Sequence, residues 1–501
     1  MRKRSSRRRM RMNRVEAFIM MNTFDIVIGL EVHAQVKTNT KLFCSCAVEF
    51  GERQNTNVCP VCTGQPGALP VINRASVTQA IKAALITHSR INPKNVFARK
   101  SYFYPDLPKG YQISQFELPF CEKGHVDIEL KDGSTKRIGL TRIHMEDDAG
   151  KNVHQGAEGI LGSHSSLVDL NRAGTTLLEI VTEPEMTSIE EARVFLDTLK
   201  LLLQYADVSD ADMEKGQLRV DVNVSLKPAG SATLGTRAEV KNMNSFRGIE
   251  KAIKYEIDRQ TEILEAGGQV AQETRNYDDA TETTSTLRSK EEAHDYRYFP
   301  DPDLLPLQVS EDWIAEVKTT LPELPADRKQ RYLTDHLSPY DAQGLVNNKP
   351  MADFFDATVN GGADPKMACN WLTSDIAGIL KEKKQSLAET PLTPALLSKM
   401  IQLIQKGTIS TKIAKTILLE MIENGTDPEK AVEKSGMTQI TSAEELAPII
   451  ASIIAANPKQ VEQYKAGQEK LFGFFVGQTM KATSGRAQPE LLNQLLKATL
   501  G

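Results

Sequence analysis

Two stretches alternate so strictly that they constrain the fold more than any other feature: "TFDIVIGLEVHAQV" at 23–36 and "QLRVDVNVSLK" at 217–227. In the first, Phe24, Ile26, Ile28, Leu30, Val32, Ala34 and Val36 fall on one side, while Glu31, His33 and Gln35 end the other. In the second, Leu218, Val220, Val222, Val224 and Leu226 oppose Arg219, Asp221, Asn223 and Ser225. Side chains of a strand point to opposite faces in turn, so both read as strands with one buried face. Either one alone is explained by a solvated surface strand. The polar residues, however, are functional-group types, not the Lys/Glu/Thr mix of a bland face. Several such strands in one domain let a single sheet gather them on one side.

Further alternation predicts strands at 136–145, 167–181 and 236–243. Between them lie helices. "SIEEARVFLDTLKLLLQYA" opens with Ser188 and Glu191, the spacing of a capping box, and carries an apolar face from Ala192 to Ala206. "SFRGIEKAIKYEIDRQTEILEAGG" is a second helix, stopped by Gly267 and Gly268. Residues 300–350 are rich in proline, and from about 350 the pattern is helical throughout, with Pro458 and Pro489 suited to first turns. The expected organisation is therefore a basic leader (1–22), a mixed α and β domain (23–300), a proline-rich linker with short helices (301–350) and a helical tail (351–501).

The leader, "MRKRSSRRRMRMNR" and the residues after it, holds eight Lys/Arg before position 20 and one acid, Glu16. It reads as translation from upstream of a true start at Met20 or Met21, with a nucleic-acid arm or an organelle transit peptide as alternatives. Without it the body carries 53 basic residues against 64 acidic ones, which argues against a generic, sequence-blind nucleic-acid binder. No apolar run approaches the roughly 18 residues of a membrane span. No secretory signal is visible, so a reducing compartment is expected and disulfides are not.

Four of the six cysteines cluster in "FCSCAVEFGERQNTNVCPVC": Cys44, Cys46, Cys59 and Cys62. C-x-C, twelve residues and C-x-x-C suit four thiolates on a tetrahedral structural zinc, against free buried thiols or a redox pair as alternatives. Cys121 and Cys369 stand alone and read as ordinary buried residues.

The segment "RIHMEDDAGK" adds His144, Glu146, Asp147 and Asp148, and "TTLLEIVTEPE" adds Glu179 and Glu183. Many carboxylates with one or two imidazoles suit a hard divalent cation such as magnesium, though an exposed acidic turn would also explain "EDD". Lys100, Lys109, Arg142, Arg219, Lys241, Arg288, Lys290 and Arg297 supply cations, as phosphoryl transfer requires. G-x-x-x-x-G-K-[ST] and G-x-G-x-x-G are both absent, so any ATP site is neither a P-loop nor a Rossmann site. No G-x-S-x-G elbow or Cys/His nucleophile pairing appears either.

Several stretches are too specific for chance: "IGLEVHAQ", "NTNVCPVC", "GALPVIN", "KSYFYPDLPKGYQISQ", "RIHMEDDAGK", "SLVDLNRAGTTLLEIVTEP", "DVNVS", "EVKNMNSFR", "RSKEEAHDYRYFPDPDL" and "VGQTMKATSGRAQPELL". From about residue 24 to the C-terminus the chain resembles the B-subunit family of the aspartyl/glutamyl-tRNA amidotransferases. The resemblance implies an α+β fold: an antiparallel-sheet cradle related to glutamine synthetase, followed by an all-α tail that grips tRNA. It implies a cytoplasmic heterotrimeric ligase with an amidase A subunit, which releases ammonia from glutamine, and a small C subunit. ATP would activate the side-chain carboxylate of Asp on tRNA(Asn) or Glu on tRNA(Gln) as an acyl phosphate, and tunnelled ammonia would displace phosphate.

Carried over residue by residue, Glu31 and His33 match the family's magnesium site, completed by an acid of "HMEDD", Asp147 in preference to Glu146, and by Glu179. Relatives often carry Glu where this chain has Asp147. The cysteine quartet matches members that hold a structural zinc. Lys241, Asn242, Asn244, Arg288 and Lys290 are expected at phosphate or the tRNA 3′ end, with surface helix and turn residues as the plain alternative. Arg219, Asp221 and Asn223 join the nucleotide-binding set. Lys481 and Arg486, beside Thr483 and Ser484, are expected to meet RNA phosphates, unless they only close a helix. "LFGFFVG" reads as core. The rival reading for the whole chain is a non-catalytic, zinc-stabilised module that presents tRNA to a partner enzyme.

Overall fold

The computed structural model describes residues 23–155, 165–289, 296–435, 440, 442–483 and 485–501. The basic leader, Lys290 and Ser484 lie outside them. The chain forms two compact units that divide between Leu324 and Pro325, inside the proline-rich stretch.

The first unit is built on a nine-stranded sheet. Its strands, in chain order, are β1 (Phe24–Gln35), β2 (Arg90–Ile91), β3 (Cys121–Glu129), β4 (Thr135–Asp147), β5 (Thr176–Thr182), β6 (Leu218–Pro228), β7 (Ala238–Lys241), β8 (Glu273–Asp278) and β9 (Thr283–Ser289). In space they run β9-β8-β7-β6-β1-β5-β4-β3-β2. All neighbours are antiparallel except β7 and β8, which pair in parallel. That exception to the expected antiparallel sheet follows from the helix between β7 and β8, which returns the chain to the end it left.

The apolar face carries the core. Ile28, Leu30, Val32 and Ala34 of β1 join Leu178 and Ile180 of β5, Val220, Val222 and Val224 of β6, and Ile143 and Met145 of β4. Three helices cover it: α1 (Arg74–Ile86) through Ala80, Ile81 and Ala84, α2 (Ile189–Tyr205) through Phe195 and Leu199, and α3 (Phe246–Glu265) through Ile249 and Ile253. Each fully buried aliphatic side chain contributes roughly 1.5–3 kcal/mol. Ser188 caps α2 by accepting from the Glu191 amide, but the Glu191 carboxylate reaches back to the Thr187 amide at 2.6 Å, one residue earlier than a capping box predicts.

The single strand expected over 167–181 is two. Ser165–Asp169 pairs with Lys151–Gln155, and β5 begins only at Thr176. Between them "LNRAGT" turns the chain, with Gly174 at φ +85°, a conformation that a Cβ would strain. The second unit is helical among its described residues, and Pro458 and Pro489 do open helices. There Phe475 is fully buried beside Leu446, Ile450, Leu492 and Leu496, and Phe472 and Phe474 pack against that cluster, so "LFGFFVG" is core.

Candidate active site

Sheet register decides which polar side chains meet. On β1, His33 lies opposite Glu179 of β5 and opposite Arg219 of β6, and Glu179 in turn lies opposite His144 of β4. One step along, Glu31 lies opposite Asp221, and Asn223 opposite Glu239 of β7. The period of two puts all of these on the face away from the core.

Two clusters result. His33 Nε2 stands 3.3 Å from Glu179 Oε2 and 3.8 Å from Glu146 Oε1, and one ligand atom from each residue lies within 4.8 Å of the others. Ligands about 2.1 Å from an octahedral cation sit about 3.0 Å apart along an edge and about 4.2 Å apart across it, so the trio fits adjacent positions around one hard divalent ion. Glu31, Asp221 and Glu239 form the second group, again within 4.8 Å. Both clusters line one cavity of about 580 Å³ together with Lys100, Tyr102, Asp148, Arg219, Lys241, Asn242, Asn244 and Tyr296.

The electrostatics follow from crowding. Burial, then the charges of Glu179 and Glu239, raise the Glu31 carboxyl above its ordinary value. Burial alone would raise Glu179 too. The His144 and His33 imidazoles outweigh it and hold that carboxyl well below the usual range. His144 Nε2 is 3.0 Å from Glu179 Oε2. Burial would lower His33, yet its hydrogen bond to Glu179 and that carboxylate's charge raise it. Lys241 is tethered to Asp221 and, at 2.9 Å, to Glu239, and those carboxylates overcome burial to raise the ammonium. Arg219 Nη2 pairs with Asp148 at 2.9 Å, while its buried Nε has no hydrogen-bond partner among the described residues, a donor left for an acceptor in the cavity.

The residues expected from sequence separate here. Glu31, His33, Glu146, Glu179, Arg219, Asp221, Lys241, Asn242 and Asn244 share the cavity. Asp147 does not. It follows Met145 onto the opposite face, where its Oδ1 accepts the Ile113 amide at 2.7 Å and Lys109 pairs with it. Glu146, the less favoured of the two acids expected at the metal, is the one that meets His33. Asn223 donates to Glu31 Oε1 at 3.1 Å but lines an adjoining recess. Arg288, on β9, is paired through its backbone with Thr274 of β8. Glu239 was missed, although "AEVK" carries the same alternation that marked β1 and β6. Asp148 was named only among the acids of "RIHMEDDAGK", and Lys100 only among the cations suited to phosphoryl transfer. In the tail, Lys481 is in the last turn of helix Leu471–Ala482, and Arg486 donates to the Thr483 carbonyl at 3.2 Å, closing the turn after that helix.

The cysteine quartet is also assembled. Its four sulfurs lie within 4.8 Å of one another, all four are free of disulfides, and Cys59 and Cys62 Sγ are 3.9 Å apart. Zinc–sulfur bonds of about 2.3 Å give a tetrahedral edge of about 3.8 Å, so the donor set can hold a metal ion. Cys121 and Cys369 are fully buried. No described helix is long and apolar enough to cross a membrane.

The family model described as the GatB/GatE catalytic domain matches residues 26–315, and that described as the GatB domain matches 353–500. The B subunit of the aspartyl/glutamyl-tRNA(Asn/Gln) amidotransferase of Carboxydothermus hydrogenoformans is 50% identical over 481 residues, 96% of this chain and 99% of its own length. The proteins of the same name from Geotalea uraniireducens and Geobacter sulfurreducens are each 52% identical, over 94% and 95% of this chain and 98% and 99% of their own. The chain belongs to the family of aspartyl/glutamyl-tRNA(Asn/Gln) amidotransferase B subunits.

Proposed function

We propose that this chain is the amide-forming subunit of an ATP-dependent ligase. It converts Asp-tRNA(Asn) to Asn-tRNA(Asn) and Glu-tRNA(Gln) to Gln-tRNA(Gln), and the sheet cavity holds ATP and the amino-acid carboxylate. The observation that carries the reading is the meeting of His33, Glu146 and Glu179 around one point, beside Arg219 and Lys241, in one cavity. A non-catalytic tRNA-presenting module has no use for such a constellation. Kinship of the sheet domain with glutamine synthetase belongs to the same proposal, since amide synthesis there also needs an activated carboxylate.

A carboxylate is a poor acyl donor because oxide is a poor leaving group. Its oxygen therefore attacks the γ-phosphorus of ATP, ADP leaves, and an acyl phosphate forms. Ammonia then attacks the acyl carbon to form the C–N bond, the acyl C–O bond breaks, phosphate leaves with its electron pair, and a proton passes to a cavity carboxylate. Magnesium, when bound, neutralises charge on the phosphate oxygens. His33, Glu146 and Glu179 would hold it, and Glu31 with Asp221 and Glu239 would extend the site. Lys241 and Lys100 offset negative charge on the transferred group, and the unpartnered Arg219 Nε donates to one of its oxygens. Asn242 and Asn244 contact phosphate or the tRNA end, as do Arg288 and Lys290, and Lys481 and Arg486 meet RNA phosphates. The quartet holds a structural zinc. An amidase A subunit supplies ammonia, a small C subunit completes the heterotrimer, and the complex works in the cytoplasm.

The test is reconstitution with both partner subunits, mischarged tRNA, ATP and ammonium chloride, which bypasses glutamine hydrolysis. Glu31→Ala should abolish amidation while tRNA binding persists. Equal amidation by wild type and variant would favour the presenting module.

A further inference from the structure

Lys41 is 0% exposed, the only lysine or arginine so completely enclosed among the described residues. Its ammonium donates to the Asn57 carbonyl at 2.7 Å and the Leu170 carbonyl at 3.4 Å, and meets Cys62 Sγ at 3.6 Å. No ion pair with a carboxylate is found for it among the described residues. A buried ammonium needs an anion close by, and among the described residues the sulfur of Cys62 is the group in hydrogen-bond reach that can supply it. Four thiolates around a divalent ion carry two negative charges, so the two features compensate each other. The Cys59 amide also donates to Cys62 Sγ, at 3.2 Å.

The lysine stem sits where two segments are stitched together. Residues 53–57, between the cysteine pairs, bind the 168–171 turn on both sides. Asn55 donates to the Val168 carbonyl at 3.0 Å and accepts from the Leu170 amide at 2.8 Å. The Asn57 amide donates to Asn171 Oδ1 at 2.9 Å, and Asn171 Nδ2 donates to the Arg53 carbonyl at 2.8 Å. Gly174 closes the turn so tightly that a Cβ there would stand 3.3 Å from Cys62 Cβ and 3.4 Å from Lys41 Cδ. Arg172 follows Asn171 in the same turn. It donates to the Ala149 and Gly150 carbonyls and pairs with Asp148 at 3.2 Å. Asp148 in turn holds Arg219 in the cavity.

We propose that Lys41 is a positioning residue: it is the charge partner of the metal-holding thiolates and the tie that locks the cysteine knuckle to the 168–172 turn, through which the knuckle fixes Asp148 and Arg219 in the cavity. The proposal rests on the reading of the quartet as a zinc site and of the cavity as the site of amide formation. Partners of this kind, one step removed from a metal's ligands, typically change metal affinity about 10–100-fold when removed.

Two measurements on the full chain, assembled with its partner subunits, test it. Zinc release to a chromophoric chelator is timed for wild type and Lys41→Met, and release from the variant should be at least ~10-fold faster. Hydrogen exchange is then followed on wild type before and after zinc removal, which decides the matter even if Lys41→Met does not fold. Amides in 148–150 and 168–172 should lose protection on zinc removal, while those of α3 keep theirs. Wild type without zinc would overturn the quartet reading and this proposal together. Zinc-bearing wild type whose 148–150 and 168–172 amides are indifferent to zinc removal, or a folded Lys41→Met that keeps its zinc as long as wild type, would overturn this proposal alone.

Discussion

His33 Nε2 and Glu179 Oε2 stand 3.3 Å apart across the β1–β5 ladder and both line the cavity. The register that pairs them is fixed by the core beneath, because a one-residue slip would bury the polar row and expose Leu30 and Val32. Glu179→Gln keeps shape and removes charge. It should lower kcat/KM for ammonium-dependent amidation at least ~100-fold, or about 3 kcal/mol, with tRNA affinity unchanged. Steady-state amidation and filter binding check it.

Adjacent acids should separate cleanly. Glu146→Gln should behave like Glu179→Gln. Asp147→Asn should instead cost about 3 kcal/mol of stability, because it leaves the enclosed Lys109 ammonium without its partner. Thermal unfolding and amidation per folded molecule, measured on both variants, distinguish the two roles.

Lys241 is held by Asp221 and Glu239 in the cavity that His33, Glu146 and Glu179 also line. Lys241→Met should reduce amidation about 10–100-fold. The loss should appear in the ATP-dependent acyl-phosphate step of a single-turnover assay, with zinc content unchanged.

A buried ion network predicts a pH effect on stability. Glu256 of α3 is 0% exposed and is held by Arg259, Arg275, Thr284 and Gln260. Burial would raise its carboxyl, but Arg259 and Thr284 outweigh burial and hold it below the ordinary value. A depressed carboxyl stabilises fully above its unfolded pKa, about 4.3, and that contribution is lost as pH falls through the lower folded value. Glu256→Gln should thus cost about 3 kcal/mol at pH 7. The gap from wild type should narrow as pH drops below about 4 in urea titrations.

For the quartet, Cys59→Ser should lose the bound zinc that metal analysis finds in wild type. Equal zinc in both would reject the four-sulfur site.

β1 and β6 were legible because their apolar residues alternate with polar ones over five or more positions, which few other structures tolerate. Glu31, His33, Arg219 and Asp221 came with them. The choice between Glu146 and Asp147 was not legible, because neighbours on a strand face opposite ways and three successive acids give no alternation to assign. Met145, buried on the core side, held the signal: Glu146 must then face the cavity. The split of 167–181 was missed because "LVDL" and "TTLLEIV" are both strand-like, and the turn rests on Gly174. The α3 crossover that makes β7 and β8 parallel leaves no mark in either strand.

The central claim is that Glu146 and Glu179, far apart in sequence, hold one cation with His33. Crystals of the assembled complex soaked in Mn2+, a redox-stable, anomalously scattering substitute for Mg2+, test it most directly. The account predicts an anomalous peak about 2.2 Å from an oxygen of each carboxylate, lost in Glu179→Gln. A peak bound elsewhere in the cavity with neither acid among its ligands would contradict it.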